Sequence, residues 1–406
     1  MSDWNWISRW RRIELRKSRK SWLSTLHTTY KIMSPKVTPS RLESLPAEII
    51  QKIFLHSLEF NLPRASITLS RILSSPIIYT WIIRLAFSSD NRSSRSGFFT
   101  RDYLPDEVDF FALTTDQRTN LQNAVLKCRW CTLPLMRQCQ QDYVAHVLRQ
   151  KCSNLIFSPD DQHTLSNVSN IFTAVLDQSS CDLVSEDMRD KGYIAIPANM
   201  LVREKAAEGE EENLREQKMN LVLWLHHGAI EIRSPGPLYF NIFRDVFRLP
   251  SFSATSPARI PDKLLNPPWT ESKLKFLRLL SRGAYIDENI RYDRSKHVLR
   301  ELIRQRDFVT FEKLLDIVIR RRDYSYAFPW PLCSEHYHDA IYYTESGNLE
   351  DPFLRVLFEE RWSDMPAFED SLLDYALERG LFERATGDIQ FMWYSIHFNW
   401  CIRWSW

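Results

Sequence analysis

Nine glycines in 406 residues, against a usual ~7%, give this chain few positions where the backbone can turn left-handed or approach a ligand closely. Phosphate-cradling loops, Rossmann turns and nucleophile elbows all need glycine for those reasons. No glycines are spaced as G-x-G-x-x-G or G-x-S-x-G, which argues against those enzyme classes. The scarcity also argues against a turn-rich all-β fold. Apolar residues make up 44% of the chain, so a sizeable core can be buried, and the length suits two or three domains.

Net charge is only +2, which gives no global case for nucleic acid or a membrane surface as partner. No apolar run approaches the ~20 residues of a membrane-spanning helix. The most core-like run, Ile77 to Phe87, is short and broken by Arg84. Arg11, Arg12, Arg16, Lys17, Arg19 and Lys20 interrupt any signal-peptide core near the N-terminus. Seven loosely spaced cysteines fit reduced thiols, so cytoplasm or nucleus is the expected compartment.

Residues 1–40 carry nine Lys/Arg against Asp3 and Glu14, interleaved with Trp4, Trp6, Trp10 and Trp22. They are expected to form a basic, flexible arm; an import address or a lipid-touching helix are the alternatives. Residues 44–87 hold three helix openings: Ser44-Leu45-Pro46 with Glu48 in the first turn, Asn61-Leu62-Pro63, and Ser75-Pro76. Proline is tolerated in a first turn, where the N–H has no helical partner, and Ser or Asn can cap the orphan donors. Ile49, Ile50, Ile53, Phe54, Ser57 and Leu58 recur at helical spacing. So do Ala65, Leu69, Ile72 and Leu73, and then Ile78, Trp81, Ile82 and Leu85. The spacing predicts three short amphipathic helices sharing a small core over residues 41–88, a unit marginal alone.

The stretch from Leu42 to Phe87 resembles the F-box of filamentous-fungal F-box proteins. The LPxE opening is Leu45-Pro46-Ala47-Glu48, the IF pair is Ile53-Phe54, the NLPRAS element is Asn61 to Ser66, and LSS is Leu73-Ser74-Ser75, with Trp81 near the end. The middle helix departs from the common pattern, with Leu69-Ser70-Arg71 followed by Ile72 rather than an aromatic. The similarity extends loosely to residues 124–133. The resemblance implies a substrate-recruiting, non-catalytic subunit of an SCF-type ubiquitin ligase. The F-box would dock on the Skp adaptor, which links to cullin and RING subunits, and the rest of the chain would hold a protein substrate. Nucleic acid, membrane and cofactors are not expected partners. Leu45, Pro46, Ile49, Ile53, Phe54, Leu58, Leu62 and Pro63 are the expected contact face; for each, membership of the internal core is the competing assignment. A helical scaffold with a relic F-box is the competing function.

Residues 88–105 are Ser/Arg-rich and read as a linker, and helical periodicity returns from Leu121. Residues 203–218 are strongly charged and read as an exposed helix. Beyond 219, leucine-rich stretches followed by glycine recur at 221–232, 274–287 and 372–382, and 298–321 reads as two consecutive helices. Glycine past the last turn is the expected left-handed cap. These segments weakly resemble ankyrin helices, without the TPLH element. The overall expectation is an all-α chain: a three-helix F-box, then an irregular, degenerate ankyrin-like solenoid over 89–406. The last sixteen residues carry four tryptophans and are expected to pack over the core.

Two metal candidates were weighed. Cys128 and Cys131 with Cys139 and His146 supply zinc-type ligands, but on a helical stretch, and small buried side chains are the favoured assignment. Cys333, His336 and His338, with Asp339 or Glu345, form a second set, for which ordinary loop histidines are favoured. His226-His227 precedes Gly228, where a cation suits a helix C-terminus. No motif fixes a Ser or Cys nucleophile with its base. The expected catalytic, metal and cofactor inventory is therefore empty.

Overall fold

The computed structural model describes residues 40–379, apart from 90–97, 107, 109, 177–183, 204–213, 239–243, 250–257, 282, 325, 345–347, 349 and 365–369. The basic arm and the tryptophan-rich C-terminal stretch lie outside the described residues. The chain divides into two compact units, 1–73 and 74–406, and each is taken by itself.

In the first unit, a turn at 41–45 leads into α1 (Ala47–Ser57), followed by α2 (Leu62–Ala65) and α3 (Ile67–Leu73). Pro46, not Ser44, is the N-cap residue of α1; the Ser44 hydroxyl is engaged by the Arg41 carbonyl. The expected second helix is broken at Ser66, whose backbone is extended. The Ser66 Oγ accepts the Leu69 N–H at 3.1 Å, so a serine able to cap starts α3 afresh. The Gln51 side-chain amide donates to the Ile72 carbonyl at 3.2 Å and joins α1 to the end of α3. Phe54 meets Phe60 edge-on with centroids 6.1 Å apart.

The second unit starts with α4 (Pro76–Phe87), opened by Pro76 as the sequence predicts. This helix falls in the second compact unit, 74–406. Ile78, Ile82, Ile83, Leu85, Ala86 and Phe87 are all buried. A helix apolar on more than one face needs cover on several sides, and α5 (Thr115–Lys127) and α6 (Leu133–Lys151) pack on it. Thr114 and Gln117 form a reciprocal capping box at the start of α5. The 88–105 segment is not a solvated linker at its described ends: Ser88, Phe98, Tyr103 and Leu104 are buried, and the Ser88 and Tyr103 hydroxyls lie 2.7 Å apart.

After β1 (Leu155–Ile156) come α7 (Pro159–Ser166), α8 (Val168–Leu176) and α9 (Glu186–Lys191). Then β2 (Tyr193–Arg203), β3 (Leu214–Trp224), β4 (Ala229–Arg233) and β5 (Asp245–Val246) complete a curled five-stranded antiparallel sheet with β1 at one edge. Tyr193 pairs with Trp224, Trp224 with Ala229 and Ala229 with Val246. This sheet overturns the all-α, solenoid expectation. Arg203 and Leu214–Lys218, read as an exposed helix, belong to the β2–β3 hairpin. Leu221-Val222-Leu223-Trp224, read as a helix before a glycine cap, is the buried end of β3. A four-residue apolar run has no period to tell strand from helix. Gly228 does adopt the left-handed conformation, φ 58°, but closes the tight turn at Leu225–His227 between β3 and β4. Buried Glu231 accepts from the Trp224 indole N–H at 3.0 Å, fixing the register across that turn. Gly192, also left-handed at φ 72°, ends α9; a Cβ there would stand 2.9 Å from the His226 ring.

Helices return with α10 (Glu271–Ser281), α11 (Asp293–Gln305) and α12 (Phe308–Leu315). The two helices expected within 298–321 are α11 and α12, separated by Arg306 in a left-handed cap and Asp307, whose carboxylate accepts the Thr310 N–H. A short ribbon, β6 (Val318–Ile319) with β7 (Phe328–Pro329), precedes α13 (Ser334–Tyr343), α14 (Pro352–Arg355), a π-turn at Val356–Glu360 and α15 (Asp370–Glu378). Extended segments beside the helices join in parallel: Tyr285 bridges Arg259, and Asp287 bridges Arg321.

Arg118, 5% exposed, donates to the Leu85 carbonyl at 2.8 Å and the Phe110 carbonyl at 2.9 Å. Arg118→Met removes both donors while keeping the apolar stem, and should cost about 2–4 kcal/mol of unfolding free energy. Urea unfolding checks this, with exposed Arg101→Met as the neutral control. A loss below ~0.5 kcal/mol would show that these carbonyls find other donors.

Candidate functional site

The turn before α1 is fixed by short polar contacts. Ser40 N–H donates to the Glu43 carboxylate at 2.7 Å, and Glu43 N–H donates to Ser40 Oγ at 3.3 Å. Hydrogen bonds from Ser66, then Ser40, hold the Glu43 carboxyl below its ordinary range. The Leu45 N–H returns to the Leu42 carbonyl at 3.2 Å, and the N–H groups of Ile49 and Ile50 both reach the Pro46 carbonyl. Leu45 is thus held in the turn immediately before α1.

The helix presents two apolar faces. Ile50, Phe54 and Leu55 are buried at 0, 3 and 5% exposure, whereas Leu45, Ile49 and Ile53 stand 38, 42 and 38% exposed. Four-residue spacing stacks Ile49 and Ile53 along the helix, with Leu45 in the turn just before it. Pro46 is also exposed; Leu58, Leu62 and Pro63 are half-buried. Of the eight expected contact residues, Leu45, Pro46, Ile49 and Ile53 are thus available to a partner, the next three in part. Phe54 is core: its ring faces Phe60, so the IF pair points one residue out and one residue in. Leu58 ends α1 at φ 49°, an uncommon left-handed conformation for a leucine. Covering the stripe of Leu45, Ile49 and Ile53 would release on the order of 5 kcal/mol at about 25 cal/mol per Å².

Neither metal candidate assembles: among the described residues, no three His, Cys, Asp or Glu side chains group to hold an ion. Cys131 and Cys139 are buried, and burial pushes both thiols up to about 12, so they pack as neutral small groups. The carbonyls of Cys128 and Cys131 instead receive the Lys263 ammonium. The His146 ring stacks on Tyr103 at 4.4 Å and pairs through Nε2 with the Phe98 carbonyl. His226 reaches the Arg189 carbonyl through Nε2 at 3.2 Å, so it meets the C-terminal turn of α9 rather than that of its own segment. His227 has its pKa lowered, chiefly by burial.

His336 is fully buried at the start of α13. Its Nδ1 accepts the Cys333 N–H at 3.0 Å and lies 3.2 Å from the Cys333 sulfur; Nε2 lies 3.2 Å from the Lys296 carbonyl. Nδ1 as acceptor fixes the proton on Nε2, which donates to Lys296. This is a capping histidine, not a ligand.

A second group of residues went unremarked in the sequence. Arg291, Lys296, His297, Arg300 and Arg304 line a cleft of about 430 Å³ with Asp293 and Glu335. Once α11 is recognised, the spacing of 293, 297, 300 and 304 places them on one helical face. That spacing is readable; what no sequence shows is that α13 lies beside it. No helix among the described residues is long and apolar enough to cross a membrane. Comparisons with protein-family models, curated proteins and solved structures find no match to this chain.

Burial lowers the pKa of His336 from 6.5 to about 4. The unfolded chain therefore takes up this proton first, and stability present above pH 6.5 should be lost progressively as pH falls from about 6.5 toward about 4. Urea unfolding across this range should give a steeper pH slope for the native chain than for His336→Gln, whatever the variant's absolute stability. Equal slopes would mean that the imidazole titrates alike in both states.

Proposed function

We propose that this chain is a substrate-recruiting, non-catalytic adaptor of an SCF-type ubiquitin ligase, in which the Leu45-Ile49-Ile53 stripe docks on the Skp adaptor. The observation that carries the reading is the exposure of that stripe beside a helix face already filled by Ile50 and Phe54. Large aliphatic anchors at four-residue spacing suit a helix laid in an apolar groove, where a few side chains supply most of the energy. The F-box-like order of LPxE, IF, NLPRAS and LSS in the sequence supports the same reading. Pro46 and the half-buried Leu58, Leu62 and Pro63 complete the contact. Residues 74–406 hold the protein substrate.

The test is co-purification of the full chain with a filamentous-fungal Skp adaptor. Ile49→Glu with Ile53→Glu should abolish capture, each anchor being worth about 2–4 kcal/mol, and should leave the melting temperature within about 2 °C because both side chains are already exposed. Phe54→Ala, by contrast, should lower the melting temperature. Undiminished capture by the double variant would end the docking assignment. Absence of capture by the native chain would replace it with a helical scaffold carrying a relic F-box.

A further inference from the structure

Among the described cavities and charged surfaces, the cleft beside α11 has the most recognisable chemistry. Its permanent cations are Arg291, Lys296, Arg300 and Arg304, with His297 beside them, against Asp293 and Glu335. These charges are not used equally. Arg300 is committed: its Nε lies 2.7 Å from Asp339 Oδ2 and its Nη2 3.4 Å from Oδ1, a two-point grip. Lys296 stands 4.0 Å from Glu335, and Arg304 3.9 Å from Glu301 and 3.8 Å from Asp339, at the outer limit of an ion pair. Lys296 and Arg304 are 29 and 39% exposed. Their donors are oriented by neighbouring carboxylates yet retain capacity for shorter bonds.

We propose that this cleft binds an extended acidic segment of a protein partner, with carboxylates four residues apart. A helix rises about 1.5 Å per residue, so Lys296 and Arg304, the two cations with capacity to spare, are offset by about 12 Å along α11. An extended chain rises about 3.3 Å per residue, so side chains at i and i+4 share a face at nearly the same spacing. The face from Lys296 to Arg304 spans about 12 Å, room for roughly four extended residues. Asp293 and Glu335, at the same wall, oppose a continuous polyanion, and the described lining residues include no Phe, Tyr or Trp on which bases could stack. Discrete carboxylates on a peptide fit this mixed charge better than a nucleic-acid backbone. The site uses none of the residues of the α1 stripe and stands whether or not that stripe docks an adaptor.

The experiment uses the full chain and a fluorescein-labelled ten-residue peptide with Glu at alternate positions, compared with the same peptide carrying Gln, by fluorescence polarisation. At about 50 mM salt the Glu peptide should bind at least about tenfold tighter than the Gln peptide, and about 300 mM salt should weaken it. Arg304→Glu should reduce affinity about tenfold or more. Arg304→Gln, which removes the charge without reversing it, should give a smaller loss, and thermal melts of both should match the native chain. Ile49→Glu with Ile53→Glu should bind the peptide as the native chain does, so failure of the adaptor reading and failure of this one are separable. Equal affinity for the Gln peptide, or native affinity in both Arg304 variants, would overturn the proposal. So would tighter, Arg304-dependent binding of polyuridylate, which would assign the cleft to nucleic acid.

Discussion

The last turn of α4 ends in buried surroundings, and its carbonyl groups must find donors away from water. The Leu85 carbonyl accepts a hydrogen bond from Arg118, the Ala86 carbonyl from the Gln122 amide at 2.8 Å, and the Phe87 carbonyl from the Arg248 N–H at 2.6 Å. Two donors come from α5 and the third from the chain just past β5. Phe87 also stacks on Phe247 with centroids 5.8 Å apart. The helical and sheet parts of residues 74–406 therefore meet at one helix terminus. Without those donors α4 could not remain both apolar and buried, and the packing of α5 and α6 against it would lose its template.

Where sequence reading succeeded, the signal was periodic and long. Helical spacing is legible from Leu121 in α5 and from Leu133 to Leu148 in α6, whereas the first six residues of α5 are polar and are opened by the Thr114 capping box. The α11–α12 pair was legible for the same reason. The sheet was hidden by three local features. Residues 221–224 are apolar on both faces and so have no alternation. Pro197 sits within β2, a residue that ordinarily counts against a strand; beside it the outer edge is unpaired, since β1 reaches only Asn199 and Met200. Glu216 to Lys218 are helix-prone and exposed, and pairing with β2 overrides that preference.

The candidate docking face was legible as a set of residue types but not as a division of labour. Spacing alone put Ile49, Ile50, Ile53 and Phe54 together, because at about 100° per residue all four fall within one arc of about 140°. Which half is buried depends on what α1 meets, and only three-dimensional packing separates Ile50 and Phe54 from Ile49 and Ile53. The cysteines illustrate the converse. Cys128 and Cys131 have the spacing of a ligand pair, but burial keeps the Cys131 thiol neutral, and the backbone carbonyls of both residues do the binding.

Those carbonyls have a consequence for how the chain is assembled. The corner between α5 and α6 is closed by Lys263, a residue synthesised long after Cys128 and Cys131. Asn123 in α5 likewise waits for the backbone of Arg259, whose N–H it accepts at 3.2 Å. During translation the early helices can form as local structure, but their corner has no ammonium to receive until the segment after the sheet has left the ribosome. Residues 74–406 are thus built to complete their packing late and together rather than in N-to-C order.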